Sequence, residues 1–341
     1  MPMVDWAELL ALDQGRMFEA LRGFPEQAER GLSLSCRIPN GIQGFKSVVV
    51  LGMGGSAIAG DILARFSTVP VVTVRDYTLP PWVNSETLLL AISYSGETEE
   101  TLSAFREGLR RTKRAVALST GGALAAMCEE EGIPWVPVPP GLQPRAALGF
   151  LLFPLLAYFS RFGYLRGDPA AAIAALRRLR DELLPERSPN PAQELAQALY
   201  GKIPVIYGGG FTVPVAYRWK TQFNENAKQP AYWAELPELC HNEIVGYELA
   251  GKIFAQGLVI FLRTSFDHPR VAKRVEILKE VLTSRGLPFR ETWGEGADAL
   301  TQALWLLYFG DWVSFYLALL NGVDPTPVRP IQELKRRLKE I

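Results

Sequence analysis

From Ser47 onward the chain alternates short apolar runs with amphipathic helical ones, and this rhythm leaves few folds open. Ser47 to Val50, Val69 to Val74, Thr87 to Ile92, Arg114 to Leu118 and Ile133 to Val138 read as strands. Helices are expected between them over Ser56 to Arg65, Glu97 to Arg111 and Ala123 to Glu131. Strands rich in β-branched residues and lacking a polar face need cover on both sides, which a parallel sheet with helices on each face supplies. The first half is therefore expected to be a doubly wound α/β domain.

The layout then returns. Lys202 to Thr212 (KIPVIYGGGFT) repeats the plan of Lys46 to Ser56 (KSVVVLGMGGS): a strand, glycines, a hydroxyl, then a helix. Ile253 to Leu262, the helix Arg270 to Arg285 and Phe289 to Thr292 continue a second parallel sheet, and Asp298 to Leu320 and Val328 to Ile341 close the chain as helices. Asp168 to Leu184 is rich in Ala, Arg and Leu at helical spacing, and the breaker-rich Pro185 to Pro191 (PERSPNP) follows it. The expected division is an N-terminal domain over 1–165, a helical connection over 166–200 and a C-terminal domain over 201–341.

Leu148 to Leu165 and Ala303 to Leu320 are long apolar stretches, but Arg161 breaks the first and Gly310 and Asp311 the second. They are expected as core or subunit-interface helices. Thirty-six Lys and Arg balance 36 Asp and Glu, so no overall field draws the chain to nucleic acid or an anionic membrane. Any anionic ligand must be small and bound locally. Three well-separated cysteines, Cys36, Cys128 and Cys240, suggest neither a disulfide framework nor a paired zinc motif, and two histidines are too few for a His-rich metal site. Met1 to Arg16 carries acidic residues and no signal-peptide core. A reducing cytoplasm fits these features.

Two loops carry the chemistry. Ser93 to Thr98 (SYSGET) joins an apolar strand to a helix and offers three hydroxyls, a permissive glycine and the N–H groups of a starting helix, a pocket suited to a phosphate monoester. Gly52 to Ala57 (GMGGSA) follows the neighbouring strand and can point at the same place. The second loop also satisfies a dinucleotide fingerprint, with Asp76 near the position of a ribose-binding acid. A dehydrogenase, however, has no need of the hydroxyl-rich first loop. Ordinary helix capping by Ser95, with Thr98 and Glu99, accounts for one hydroxyl but not for the run. Glu97, Glu99 and Glu100 suit a helix start for dipole reasons alone.

Asn224 to Lys228 (NENAK) sets the carboxylate of Glu225 between two amides, either a helix-end turn or a general base held by its neighbours. His241, in Cys240 to Glu243 (CHNE), is close in sequence to that candidate, whereas His268 sits in a turn-like FDHP.

As a set these segments resemble the bifunctional phosphoglucose/phosphomannose isomerase family of the sugar isomerase (SIS) superfamily. The matching pieces are GMGGSAIAGD at 52–61, SYSGETEET at 93–101, Pro144 with Arg145, NENAK at 224–228, CHNEIVGYE at 240–248 and DPTPVRPIQELK at 324–335. The resemblance implies two doubly wound SIS domains of flavodoxin-like type with extra terminal helices, acting on a hexose 6-phosphate through a cis-enediol. It implies phosphate contacts from Ser93, Ser95 and Thr98, sugar-phosphate contacts from Gly55 and Ser56, Glu225 as proton-shuttling base and Arg145 as the cation for enediolate charge. It further implies His241 and Lys335 as the ring-opening pair, no redox cofactor or metal, and a homodimer in which the histidine comes from the other subunit. Competing readings are a phosphosugar sensor without turnover, which the joint presence of Glu225, His241, Arg145 and Lys335 opposes, and an NAD-dependent oxidoreductase.

Overall fold

Alternate residues of each central strand enter different cores, which is why these strands carry no polar face. The structure, a computed structural model, describes residues 4–250, 254, 256–338 and 340. One sheet holds β1 (Ser47–Leu51), β2 (Val71–Val74), β3 (Thr87–Ile92), β4 (Ala115–Ser119) and β5 (Trp135–Pro137), all parallel, in the order β2-β1-β3-β4-β5. The other holds β6 (Ile203–Gly209), β7 (Tyr232–Leu236), β8 (Gly257–Arg263) and β9 (Phe289–Trp293), also parallel, in the order β7-β6-β8-β9. The two doubly wound domains read from the sequence are thus present. The expected strand start at Ile253 lies outside the described residues, as do Lys339 and Ile341 at the end of the expected last helix.

Eleven helices of eight or more residues, among the described residues, clothe the sheets: α1 (Phe24–Leu34), α2 (Gly54–Phe66), α3 (Glu99–Gly108), α4 (Gly122–Glu131), α5 (Leu148–Arg161), α6 (Pro169–Leu183), α7 (Pro191–Leu199), α8 (Val213–Glu225), α9 (Pro269–Ser284), α10 (Ala299–Leu320) and α11 (Arg329–Leu338). Val48 and Val50 of β1 and Ile206 of β6 face one continuous core filled by α1, α2, α5, α6, α7, α8 and α10. Val49 and Leu51 instead face α3 and α4, and Val205 and Tyr207 face α9. The two sheets therefore share a central helical layer, and α6 and α7 belong to it.

Strand β7 has no counterpart in the sequence reading. It is an edge strand on which Tyr232 and Glu235 are exposed and only Leu236 is buried, so it lacks the unbroken apolar run that marks a central strand. The two apolar stretches are core helices. Every residue from Leu300 to Leu319 of α10 is buried within the chain, as is α5 apart from Ala157 and its C-terminal end. The alternative placing of these helices at a subunit interface is thereby corrected: their apolar faces are already covered. By length and composition α10 could cross a membrane, yet 94% of its most apolar window lies inside the protein.

Within that layer Asp311 of α10 meets Arg218 of α8 in a bidentate pair, Nε to Oδ1 at 3.0 Å and Nη2 to Oδ2 at 2.7 Å, and Gln222 adds a bond of 2.9 Å. Both charged side chains are 2–3% exposed. Removing one partner leaves a charge in an apolar layer. Asp311→Ala is expected to lower the unfolding free energy by about 3–5 kcal/mol, read from urea denaturation; a loss under about 1 kcal/mol would contradict the pairing.

Candidate active site

The order β2-β1-β3 places a switch point between β1 and β3, where the loops leaving the two strands diverge and open a crevice. The loop after β1 leads into α2 and the loop after β3 into α3. Neither helix start is capped by its own side chains: Met53 and Thr98, at the cap positions, make no such bond. Their first N–H groups are left to water or a ligand. The Thr98 hydroxyl lies 2.9 Å from that of Ser93, and Ser93 also accepts from the Gly96 N–H at 3.1 Å. Ser93 is fully buried, so its hydroxyl braces the loop, while Ser95 is exposed and Thr98 half-exposed. Ser56, buried, accepts from the Tyr94 N–H at 3.4 Å and ties the two loops together.

Gly96 holds φ +76°, and a Cβ there would stand 1.9 Å from the Gly121 carbonyl oxygen, so the loop passes the next one at a distance only glycine allows. The Glu97 carboxylate accepts from the Ala123 N–H at 2.9 Å, capping α4 rather than its own helix. Glu99 bonds the Tyr77 hydroxyl. Asp76 turns onto the N–H of Tyr77 at 2.6 Å, a local turn bond.

The crevice continues through Gly55. A Cβ at Gly55 would lie 2.7 Å from the Arg145 Cα, so the turn Pro144–Ala146 rests directly on the start of α2. Arg145 is 3% exposed. Its Nε donates to Asn226 Oδ1 at 2.6 Å, and its Nη2 donates to the carbonyls of Pro325 and Thr326, both at 2.8 Å. Nη1 stands 3.6 Å from Glu225 Oε2, an ion pair beyond hydrogen-bond length. Burial lowers the guanidinium from its ordinary value and the Glu225 charge opposes this, yet arginine keeps its proton at neutral pH. Beneath it, Arg218 Nη2 donates to the Arg145 carbonyl at 2.9 Å, so the Asp311 pair supports the site.

Glu225 ends α8. Because α8 returns antiparallel to β6, its C-terminal end lies beside the beginning of α2 and its start beside the end of α2, where Phe66 stacks on Phe211 at 5.1 Å. Glu225 is one-quarter exposed and, with Lys228, Asp324 and Arg329, lines a cavity of about 760 Å³. The structure thus brings Ser56, Gly55, Arg145 and Glu225 into one continuous wall beside the Ser93 to Thr98 loop.

It does not bring His241 or Lys335 to Glu225 within a chain. His241 is exposed in the turn Glu238–His241, which leaves the C-terminal end of β7, whereas α8 ends where the chain is about to enter that strand at its other end. A five-residue strand alone spans about 16 Å. Lys335 is exposed on α11 and makes no salt bridge among the described residues, whereas its neighbours Arg336 and Arg337 pair with Glu333. Sequence reasoning passed over Arg218, Asp311 and Lys228. The first two pair across the fold, and Lys228 was visible only as part of NENAK.

A model of the bacterial phospho-glucose isomerase C-terminal SIS domain matches residues 188–338. The chain is 39% identical over 337 residues to a bifunctional phosphoglucose/phosphomannose isomerase of Caldicellulosiruptor bescii, covering 95% of this chain and 99% of that one. It is also 39% identical to the protein of the same name from Aquifex aeolicus, over 87% of this chain and 91% of that one. Among solved structures, a Thermus thermophilus protein described as hypothetical shares the fold with a TM-score of 0.77 at 18% identity, covering 98% of this chain and 92% of that one.

The Gly55 contact yields a test. Gly55→Ala is expected to cost about 1–3 kcal/mol of stability through overpacking, and its crystal structure should show the 144–146 turn displaced and the Arg145 to Asn226 bond lengthened. An unshifted turn with unchanged stability would contradict the close approach.

Proposed function

This chain belongs to the bifunctional phosphoglucose/phosphomannose isomerase family, and from that premise we propose that it interconverts glucose 6-phosphate and mannose 6-phosphate with fructose 6-phosphate, using Glu225 as the base. The observation that carries the reading is Glu225 Oε2, 3.6 Å from the buried Arg145 cation and joined through Gly55 to two uncapped helix starts.

Phosphate binds at the Ser93 to Thr98 loop through the Ser95 and Thr98 hydroxyls and the first N–H groups of α3, with Ser93 bracing the loop and Gly55 and Ser56 beside the sugar. Binding energy gained there positions the reacting carbons in the Glu225 cavity. In the open-chain aldose the carboxylate takes the proton from C2, the electron pair moves toward C1, and negative charge gathers on O1. Arg145 faces that charge with its Nη1 edge. O1 gains a proton, O2 loses one, and the Glu225 acid returns its proton to C1, leaving the ketose. The enediol is planar at C2. Glucose and mannose 6-phosphates, which differ only there, therefore converge on one intermediate.

Ring opening falls to His241 and Lys335, and the homodimer supplies it. Support comes from the position of His241 beyond the end of β7 that lies away from Glu225, and from apolar side chains left exposed on the two segments concerned. These are Val245 at 63% and Leu249 at 59% after His241, and Ile331 at 41% and Leu334 at 60% flanking Lys335. A second copy covering them brings its histidine to the Glu225 cavity. The three free cysteines fit a cytoplasmic location.

Glu225→Gln is expected to bind glucose 6-phosphate while losing solvent-proton exchange at C2; full exchange would remove Glu225 from the base role. His241→Ala is expected to lose more activity on cyclic substrates than on open-chain ones. Mixing the Glu225→Gln and His241→Ala proteins and letting subunits exchange should restore about a quarter of wild-type activity on a cyclic substrate, since half the dimers then hold one intact site of two. No restoration despite demonstrated exchange would place both residues in one subunit.

A further inference from the structure

Lys228 adopts φ +54°, one of two non-glycine residues in the left-handed region among those described. Glycine or asparagine is the ordinary occupant of such a position after a helix, and a side chain with a Cβ is strained there. The ammonium is what the position retains. Its Nζ donates to the Glu225 carbonyl at 2.5 Å and to the Pro325 carbonyl at 3.0 Å, and the latter oxygen also accepts from Arg145 at 2.8 Å. Two cations therefore converge on one carbonyl beside Glu225, an arrangement in which their mutual repulsion works against the pull of Asp324 and Glu225 and which a further anion stabilises. Among the described residues Lys228 keeps one N–H without a protein acceptor, and Arg145 keeps its Nη1 edge, which reaches Glu225 only at 3.6 Å.

We propose that Lys228 is a second cation of the reaction centre, holding one of the two oxygens of the enediolate while Arg145 holds the other. The inference rests on the reading of Glu225 as the base, because that proton transfer creates the charge to be held. The groups facing the ammonium are Glu225 at the end of α8, Arg145 on its turn and Asp324 after α10, with Arg329 at the start of α11 lining the same cavity. Although Lys228 is exposed as a residue, desolvation of its ammonium, with the Arg145 charge adding, brings it down to about 8 against the opposing pull of Asp324 and Glu225. The charged form acts below that value, so this contribution is present at neutral pH and fades as pH rises through it.

A helix-capping lysine and a charge-holding one differ in what glycine does. Lys228→Gly accepts the left-handed backbone without strain, so the melting midpoint is expected to stay or rise while kcat and kcat/KM fall together by about 100-fold. Lys228→Arg should retain partial activity and move the alkaline limb of kcat/KM upward from about 8, since a guanidinium stays protonated there. Lys228→Gly with kcat within about threefold of wild type, a joint fall of melting midpoint and kcat, or an unmoved alkaline limb in Lys228→Arg would each overturn the proposal. Glu225→Gln measured alongside separates the two readings. If it still exchanges the C2 proton, the base assignment fails; if it does not and Lys228→Gly turns over normally, Lys228 alone is excluded.

Discussion

The buried Arg145 guanidinium is the joint on which the proposed chemistry turns. A charge out of water must find partners for its donors or destabilise the fold by several kcal/mol. Here those partners come from segments far apart in sequence: Asn226 after α8, the Pro325 and Thr326 carbonyls after α10, and Glu225. The main chain of Arg145 is itself fixed, by Gly55 on one side and by Arg218 on the other. One cation thus ties the proposed phosphate end of the crevice to the proposed proton-transfer end. The same requirement explains why an apolar helix such as α10 keeps Asp311: through Arg218 it supports the turn that carries Arg145.

The strands with both faces covered were legible because burial on two sides writes an unbroken apolar run, as in Thr87–Ile92, where the expected and observed limits coincide. Strand β7 was not, since an edge strand with Tyr232 exposed carries no such signal. The Ser93 to Thr98 loop stood out in the sequence as a candidate anion pocket from its hydroxyls and position, but the arrangement of side chains within it did not. That Ser93 turns inward and Glu97 caps a different helix depends on the close pass of Gly96 and Gly121, a contact between distant segments. Nor does spacing place Arg145 against Glu225. That neighbourhood follows from α2 and α8 packing antiparallel, and the resemblance to a known family named both residues without giving a reason for their contact.

The two halves repeat a plan and then diverge. In the second sheet the loop after β8 corresponds to the proposed phosphate loop after β3, yet its donors are already engaged. Asp267 accepts from the Thr264 N–H at 3.2 Å and hydroxyl at 2.8 Å and from Arg263 Nε at 2.8 Å, and the Ser265 N–H goes to Gln302. A carboxylate of the chain takes the place an external anion would need. The second half instead contributes the end of α8, with Glu225 and Lys228, to the crevice of the first.

The central claim is that one crevice holds the sugar phosphate at both ends. A crystal structure of the dimer with a phosphorylated aldonate, whose carboxylate mimics the enediolate, tests it most directly. The account predicts phosphate oxygens within hydrogen-bond reach of Ser95, Thr98 and the first N–H groups of α3, with the carboxylate between Arg145 and Glu225. Phosphate bound away from that loop, or a carboxylate out of contact with Arg145, would contradict it.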